Sequence, residues 1–326
     1  VTINKNITLD LGVKTLTNTN AGKATISVSG SAVVTVKNGN VMGGTSYYNI
    51  EVTKGSNANL TLEGVTATAG NTGSSMIDNW GTLTINSGTY TGGLNVVKSE
   101  EGSTLTINGG TFTLQEAACK NYEYVAVILN YGDATISNGE FIQEAKANWK
   151  YPQVVMTGVV EGYKAITRVT GGTFTNKNSG NNIFHGLGKA TSDNFEVSGG
   201  TFNKSISDGY CADGFIPTKN ANGTYGVKEG QYVAKVGGTK YETLADAIRL
   251  AANGKTITLL DNVTENVEII KGKRVTLDLN GKTLNGGTGT AKAALYNLGT
   301  ITITDTSEAR TGTIKRDDNG TEGEKS

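Results

Sequence analysis

The stretch Thr104-Leu105-Thr106-Ile107-Asn108-Gly109-Gly110-Thr111-Phe112 decides how the rest of the chain is read. It is an alternating strand, a glycine turn and a second strand that opens on an aromatic. The phrase returns as Thr82-Leu83-Thr84-Ile85 running into Gly88-Thr89-Tyr90, and again around Gly139-Glu140-Phe141, Gly172-Thr173-Phe174 and Gly200-Thr201-Phe202. Weaker copies sit at Gly39 and Gly64. In Thr82–Ile85 the side chains of Leu83 and Ile85 point to one face and the threonines to the other. The apolar pair is expected to face a core.

Successive turn glycines lie 25, 24, 22, 29, 33 and 28 residues apart. A minimum near 22 with variable insertions fits one coil of a parallel β-helix, in which each coil buries its inner face only against its neighbours. The leucine and asparagine pattern of a leucine-rich repeat is missing. Equivalent positions in such a stack lie about 4.8 Å apart. Tyr90, Phe112, Phe141, Phe174 and Phe202 are therefore expected to form an internal aromatic stack. The glycine before each ring is expected at positive φ.

A second landmark precedes the phrase: Asn79-Trp80-Gly81, Asn130-Tyr131-Gly132 and Asn297-Leu298-Gly299, each before a strand. Asn-x-Gly is turn chemistry, and the amide can bond its own turn or the next coil.

The rungs end near Asn222-Gly223-Thr224-Tyr225. Residues 243–252 then read as one short helix, with Thr243 as cap, Asp246 three residues on and Gly254 beyond the end. Leu244, Ile248, Ala251 and Ala252 share a face. Ile7-Thr8-Leu9-Asp10-Leu11 matches Val275-Thr276-Leu277-Asp278-Leu279 at an offset of 268. Two units are expected: a solenoid over 1–227 without its own N-terminal cap helix, and a second one starting at 232–326 with a cap helix and first coils. The chain reads as part of a longer one.

With 326 residues, 29 basic and 29 acidic, the formal net charge is zero. No basic face is advertised, so nucleic acid is not an expected partner. No apolar run approaches the roughly 18 residues that span a bilayer. No signal peptide is visible at Val1. Cys119 and Cys211 do not make a disulfide framework and are expected as free thiols.

The run Tyr241-Glu242-Thr243-Leu244-Ala245-Asp246-Ala247-Ile248, with Asp261-Asn262-Val263 and Val275–Leu284, resembles the opening of right-handed β-helix modules of large bacterial surface proteins. The Gly-Gly-Thr-Phe rungs resemble the bodies of those modules. The fold class expected is all-β: a right-handed parallel β-helix solenoid with one short capping α-helix. The wider fold resembles that of pectate lyases and polysaccharide hydrolases, which implies contact with carbohydrate by analogy.

Those enzymes carry clustered aspartates on adjacent rungs. Asp78 and Asp133 lie beside the Asn-x-Gly turns, and Asp193, Asp208 and Asp213 lie in later insertions. All five read as solvated turn residues, because no Asp pair recurs on consecutive rungs. His185, the single histidine, reads as structural, and Arg168 as part of an exposed strand face. Thr82/Thr84, Thr104/Thr106 and Thr300/Thr302 read as solvated strand positions rather than an ice-binding ladder. No metal-ligating or phosphate-binding motif is present, so no cofactor and no metal is expected.

The longest insertions follow Phe112 and Phe141. They bring Tyr122, Tyr124, Trp149 and Tyr151, with Tyr163 just beyond, and aromatic faces on loops can stack on sugar rings. These five are the candidate ligand-binding residues. The expected role is a non-catalytic, exported or cell-surface bacterial protein for adhesion or glycan binding, with glycans or a host surface as partner. A polysaccharide lyase or glycoside hydrolase is the alternative, marked by three or more carboxylates, or carboxylates with Lys or Arg, in one groove. A structural spacer is the other.

Overall fold

The computed structural model describes residues 1–119, 122, 124–146, 152–287 and 293–316. It divides into two compact units, Val1–Glu229 and Gly230–Ser326.

The first unit is a parallel β-solenoid with three walls. The first wall is an eight-stranded sheet running from Thr2–Ile3 to Phe184–Leu187, and the second is an eight-stranded sheet from Ile7–Asp10 to Phe195–Val197. The third runs from Thr15–Thr17 to Thr201–Phe202 and continues into an antiparallel hairpin, Phe215–Lys219 with Tyr225–Glu229. Tyr225 pairs with Phe202, so the hairpin takes up the last strand's edge groups.

Register follows the alternation in the sequence. Leu60, Leu83, Leu105 and Ala134 form one inward column of the second wall, and Leu62, Ile85, Ile107 and Ile136 the next. All eight are essentially buried. On the third wall Tyr90, Phe112, Phe141, Phe174 and Phe202 are in register and buried. Ring centroids are 4.9, 4.9, 4.7 and 5.3 Å apart in succession, so the expected aromatic stack is present. The turn glycines sit at positive φ, as at Gly139 (φ 125°). A Cβ there would stand 3.0 Å from Gly110 O and 3.1 Å from the Phe141 ring. The coil can stack this closely only because the side chain is absent.

The Asn-x-Gly turns bond in both directions. Asn130 Oδ1 accepts from Gly132 N, while its Nδ2 donates to Ile166 O and Thr167 Oγ1 of the next coil. A four-residue helix, Glu116–Cys119, lies in the insertion after Phe112 and was not expected. Both cysteines are free, Cys119 buried and Cys211 half-buried. Burial pushes each thiol up to about 11, which makes it a poor nucleophile.

The second unit opens with a hairpin, Ala234–Val236 with Thr239–Tyr241, that pairs onto Lys255–Leu259. The helix spans Leu244–Leu250, shorter at its end than the sequence suggests, and Ala251 is already extended at ψ 133°. Thr243 Oγ1 accepts from Asp246 N at 3.1 Å. The Glu265 carboxylate, from a later turn, accepts from Leu244 N and Ala245 N at 2.9 and 3.1 Å. Two otherwise unpaired helix N–H groups are thereby satisfied by an anion at the positive end of the helix. Parallel coils follow, with Arg274–Asp278 pairing Thr300–Thr304.

Candidate functional site on the outer face of the first wall

Outward positions of the first wall are unlike those of the others. Ser27, Glu51, Asp78, Lys98, Leu129, Met156 and His185 lie in one column on successive coils. Two residues further along, Trp80, Glu100 and Tyr131 continue three of these strands, with Glu100 N bonded to Asn79 O and Tyr131 N to Ser99 O. Charged and aromatic side chains thus occupy neighbouring coils on one face.

Asp78 is the centre of the group. It lies in the strand Ile77–Asn79 and is 2% exposed. The expectation of a solvated turn residue is therefore corrected: the strand begins one residue before it, and the neighbouring side chains cover it. Its Oδ2 accepts from Trp80 Nε1 at 2.8 Å, whereas Oδ1 has no donor. Burial pushes the Asp78 carboxyl up, to about 7; the charge of Glu100 and a hydrogen bond with it act the same way, while Lys98 and Trp80 oppose them. The neutral form of Asp78 is thereby favoured, and its Oδ1 is left without a donor in the protein.

Glu100 is 5% exposed and forms an ion pair with Lys98. Burial pulls the Lys98 ammonium down, but the hydrogen bond and charge of Glu100 and the charge of Asp78 outweigh it, so Lys98 stays cationic. Its Nζ lies 5.7 Å from the centre of the Tyr131 ring. Lys54 Nζ lies 3.9 Å over the Trp80 ring and 3.9 Å from the Glu101 carboxylate. Both are cation–π geometries. Glu51 accepts from Ser27 Oγ at 2.6 Å. At the edge of the column the Tyr47 and Tyr48 rings pack 4.5 Å apart. Burial, then the charges of Asp78, Tyr47, Glu100 and Glu51, push the Tyr48 hydroxyl up to about 12. Trp80, Tyr131, Tyr47 and Tyr48 are half-buried.

Tyr131 packs against Gly158 of the next coil; a Cβ there would stand 2.2 Å from its Cε1. Beyond it Ala126, Leu129 and Met156 make a small apolar cluster with Tyr131 and Leu187. The face thus changes from charged to apolar along the solenoid.

The residues singled out from sequence fall around this wall. Tyr122 reaches Gly73, where a Cβ would meet its hydroxyl at 3.3 Å. Tyr124, at φ 57°, stacks on His185 with centroids 6.0 Å apart. Both belong to the connection entering the first wall. Tyr163 belongs to the connection leaving it and packs over Gly102. Trp149 and Tyr151 lie outside the described residues. Tyr122, Tyr124 and Tyr163 are 40, 39 and 50% exposed and belong to connections at the two edges of the wall rather than to one cluster. His185 is drawn below its ordinary value by burial.

Arg168 pairs with Asp133 at 2.5 Å and with Glu196 at 3.0 Å across the outer face of the second wall, an exposed ion-pair ladder. Asp193 and Asp213 line a cavity of about 520 Å³ with Phe195, Glu196 and Cys211 near the end of the solenoid. Among the described residues no group of three or more His, Cys, Asp or Glu is arranged to hold a metal ion, and no helix is long and apolar enough to cross a membrane.

Glu100, Lys98, Trp80 and Tyr131 were not found as a site from sequence. Their signal was present: Lys98 shares the strand position of Asp78, and Trp80, Glu100 and Tyr131 follow the strand at one phase of their coils. It is hidden because the residue type at each phase differs from coil to coil. Comparison with protein-family models, with curated proteins and with solved structures finds no match.

Proposed function

We propose that the protein is a non-catalytic, glycan-binding β-solenoid of the bacterial surface, related to the pectate-lyase-like β-helices and serving adhesion. The observation that carries this reading is the outer face of the first wall. There, four partly open aromatic side chains surround charged groups already fixed by ion pairs and cation–π contacts. Flat apolar rings stack on sugar faces, and held carboxylates and ammonium groups bond hydroxyls at little entropic cost.

Glu51, Asp78, Glu100 and Glu101 with Lys54 and Lys98 form the kind of carboxylate-and-lysine cluster that would mark a polysaccharide-cleaving enzyme. Hydrolysis, however, needs two carboxyls on opposite sides of the scissile bond, about 5–9.5 Å apart. Asp78 and Glu100 belong to adjacent coils of one wall, so they stand on the same side of a bound chain rather than across it from each other. Binding therefore fits the geometry better than hydrolysis.

The test is a glycan array probed with wild type and Trp80→Ala, with product analysis of every polysaccharide retained. Binding that Trp80→Ala abolishes supports the proposal. Binding unaffected by the change moves the site to the insertion tyrosines. Release of new reducing or unsaturated ends means the class is wrong, and no binding at all favours a spacer.

A further inference from the structure

The charge of the first-wall site restricts the class of glycan, an inference that rests on the reading above. Four carboxylates, Glu51, Asp78, Glu100 and Glu101, share this face with two ammonium groups, Lys54 and Lys98. Both ammonium groups are already engaged: Lys98 with Glu100 and the Tyr131 ring, Lys54 with Glu101 and the Trp80 ring. Lys98 lies beside Asp78 in the column but is paired with Glu100, and it gives Asp78 Oδ1 no hydrogen bond. Its Oδ1, on a side chain 2% exposed, accepts from no group in the protein. A buried acceptor without a donor is costly, and a buried carboxylate without a counter-charge more so. The four rings around the pair add negative π faces, which also favour a cation.

We propose that this site recognises glycans bearing a free, protonated amine, that is, unacetylated amino-sugar units, with the ligand ammonium donating to the unpartnered Oδ1 of Asp78 beside Glu100. The same charge disfavours uronic-acid polymers, because a carboxylate brought to a face where carboxylates outnumber ammonium groups is repelled. A neutral N-acetylated unit would keep the ring stacking but lose the charge pairing.

Isothermal titration at neutral pH distinguishes these cases, using equal-length oligomers of glucosamine, N-acetylglucosamine and galacturonate against wild type and the near-isosteric Asp78→Asn. The expected result is that wild type binds the glucosamine oligomer about tenfold or more tightly than the N-acetylated one and does not bind galacturonate. Asp78→Asn, its fold checked by circular dichroism, should lose that preference while retaining weak binding of both amino-sugar oligomers. The wild-type comparison stands even if the variant fails to fold. If N-acetylglucosamine or galacturonate oligomers bind wild type as well as glucosamine does, glycan binding stands and the ammonium proposal is overturned. The same holds if Asp78→Asn keeps the full preference. If none of the three binds and the array is also blank, it is the glycan reading itself that fails.

Discussion

Phe141 stands between Phe112 and Phe174, with ring centroids 4.9 and 4.7 Å away and near-parallel planes. Truncation to alanine removes one ring from a stack closed on both sides, where the neighbours are held by their own coils and cannot collapse into the gap. Phe141→Ala should cost about 3–5 kcal/mol, read from urea or thermal unfolding; a loss below about 1 kcal/mol would mean the stack yields. Asp78 makes an opposite kind of prediction. Its carboxyl sits near 7 in the folded protein against an ordinary 3.8. Between those values the native state holds a proton that the unfolded chain has released. The contribution is therefore fully present at the acid end of the window and lost as pH rises through it, at about 1.4 kcal/mol per unit. Asp78→Asn should flatten that slope and be relatively more stable above neutrality. Parallel stability–pH curves for the two proteins would count against the raised carboxyl. Phe141 was legible from sequence because its phase repeats. Asp78 was misread because its burial depends on neighbours from other coils.

At the scale of the element, each coil is fixed by turn chemistry as much as by its strands. Asn130 satisfies its own turn through Gly132 and reaches Ile166 O and Thr167 Oγ1 in the next coil, all inside the core. Asn130→Ala leaves buried groups unpaired and should cost about 1–3 kcal/mol for each such group, measured by chemical denaturation. Asn130→Asp would keep one acceptor and lose the donors, so it should not rescue. Gly158 offers a different test. A Cβ would stand 2.2 Å from the Tyr131 ring, so Gly158→Ala should lift Tyr131 from its place beside Lys98. The prediction is weaker glycan binding with the first-wall strands intact by circular dichroism. Unchanged binding would remove Tyr131 from the site. The period, the turn positions and the inward faces could all be read from the sequence, because they obey the two-residue alternation of a strand. The helix end could not: Lys273, from a distant turn of chain, donates to Arg249 O and Ala251 O where the helix stops. The site could not either, because it is built across coils from residues that share a phase but not a residue type.

Over the whole molecule each unit has its own apolar core, one running through the first solenoid and one packed around Leu244, Ile248, Leu259 and Leu277 in the second. The repeat that relates Ile7–Leu11 to Val275–Leu279 was visible as a sequence match because both segments meet the same structural demand, an alternating strand of an early coil. What distinguishes the first unit is the outer face of its first wall. The central claim is that this face, with Trp80 at its centre, contacts glycan. The chain has two tryptophans, Trp80 and Trp149, so a Trp149→Phe variant reports from Trp80 alone. The decisive measurement is its fluorescence during titration with each soluble oligosaccharide retained on the array. A saturable change in intensity or wavelength, with the same midpoint as calorimetric binding, is the result predicted here. Binding that saturates by calorimetry while Trp80 emission stays constant would contradict the claim.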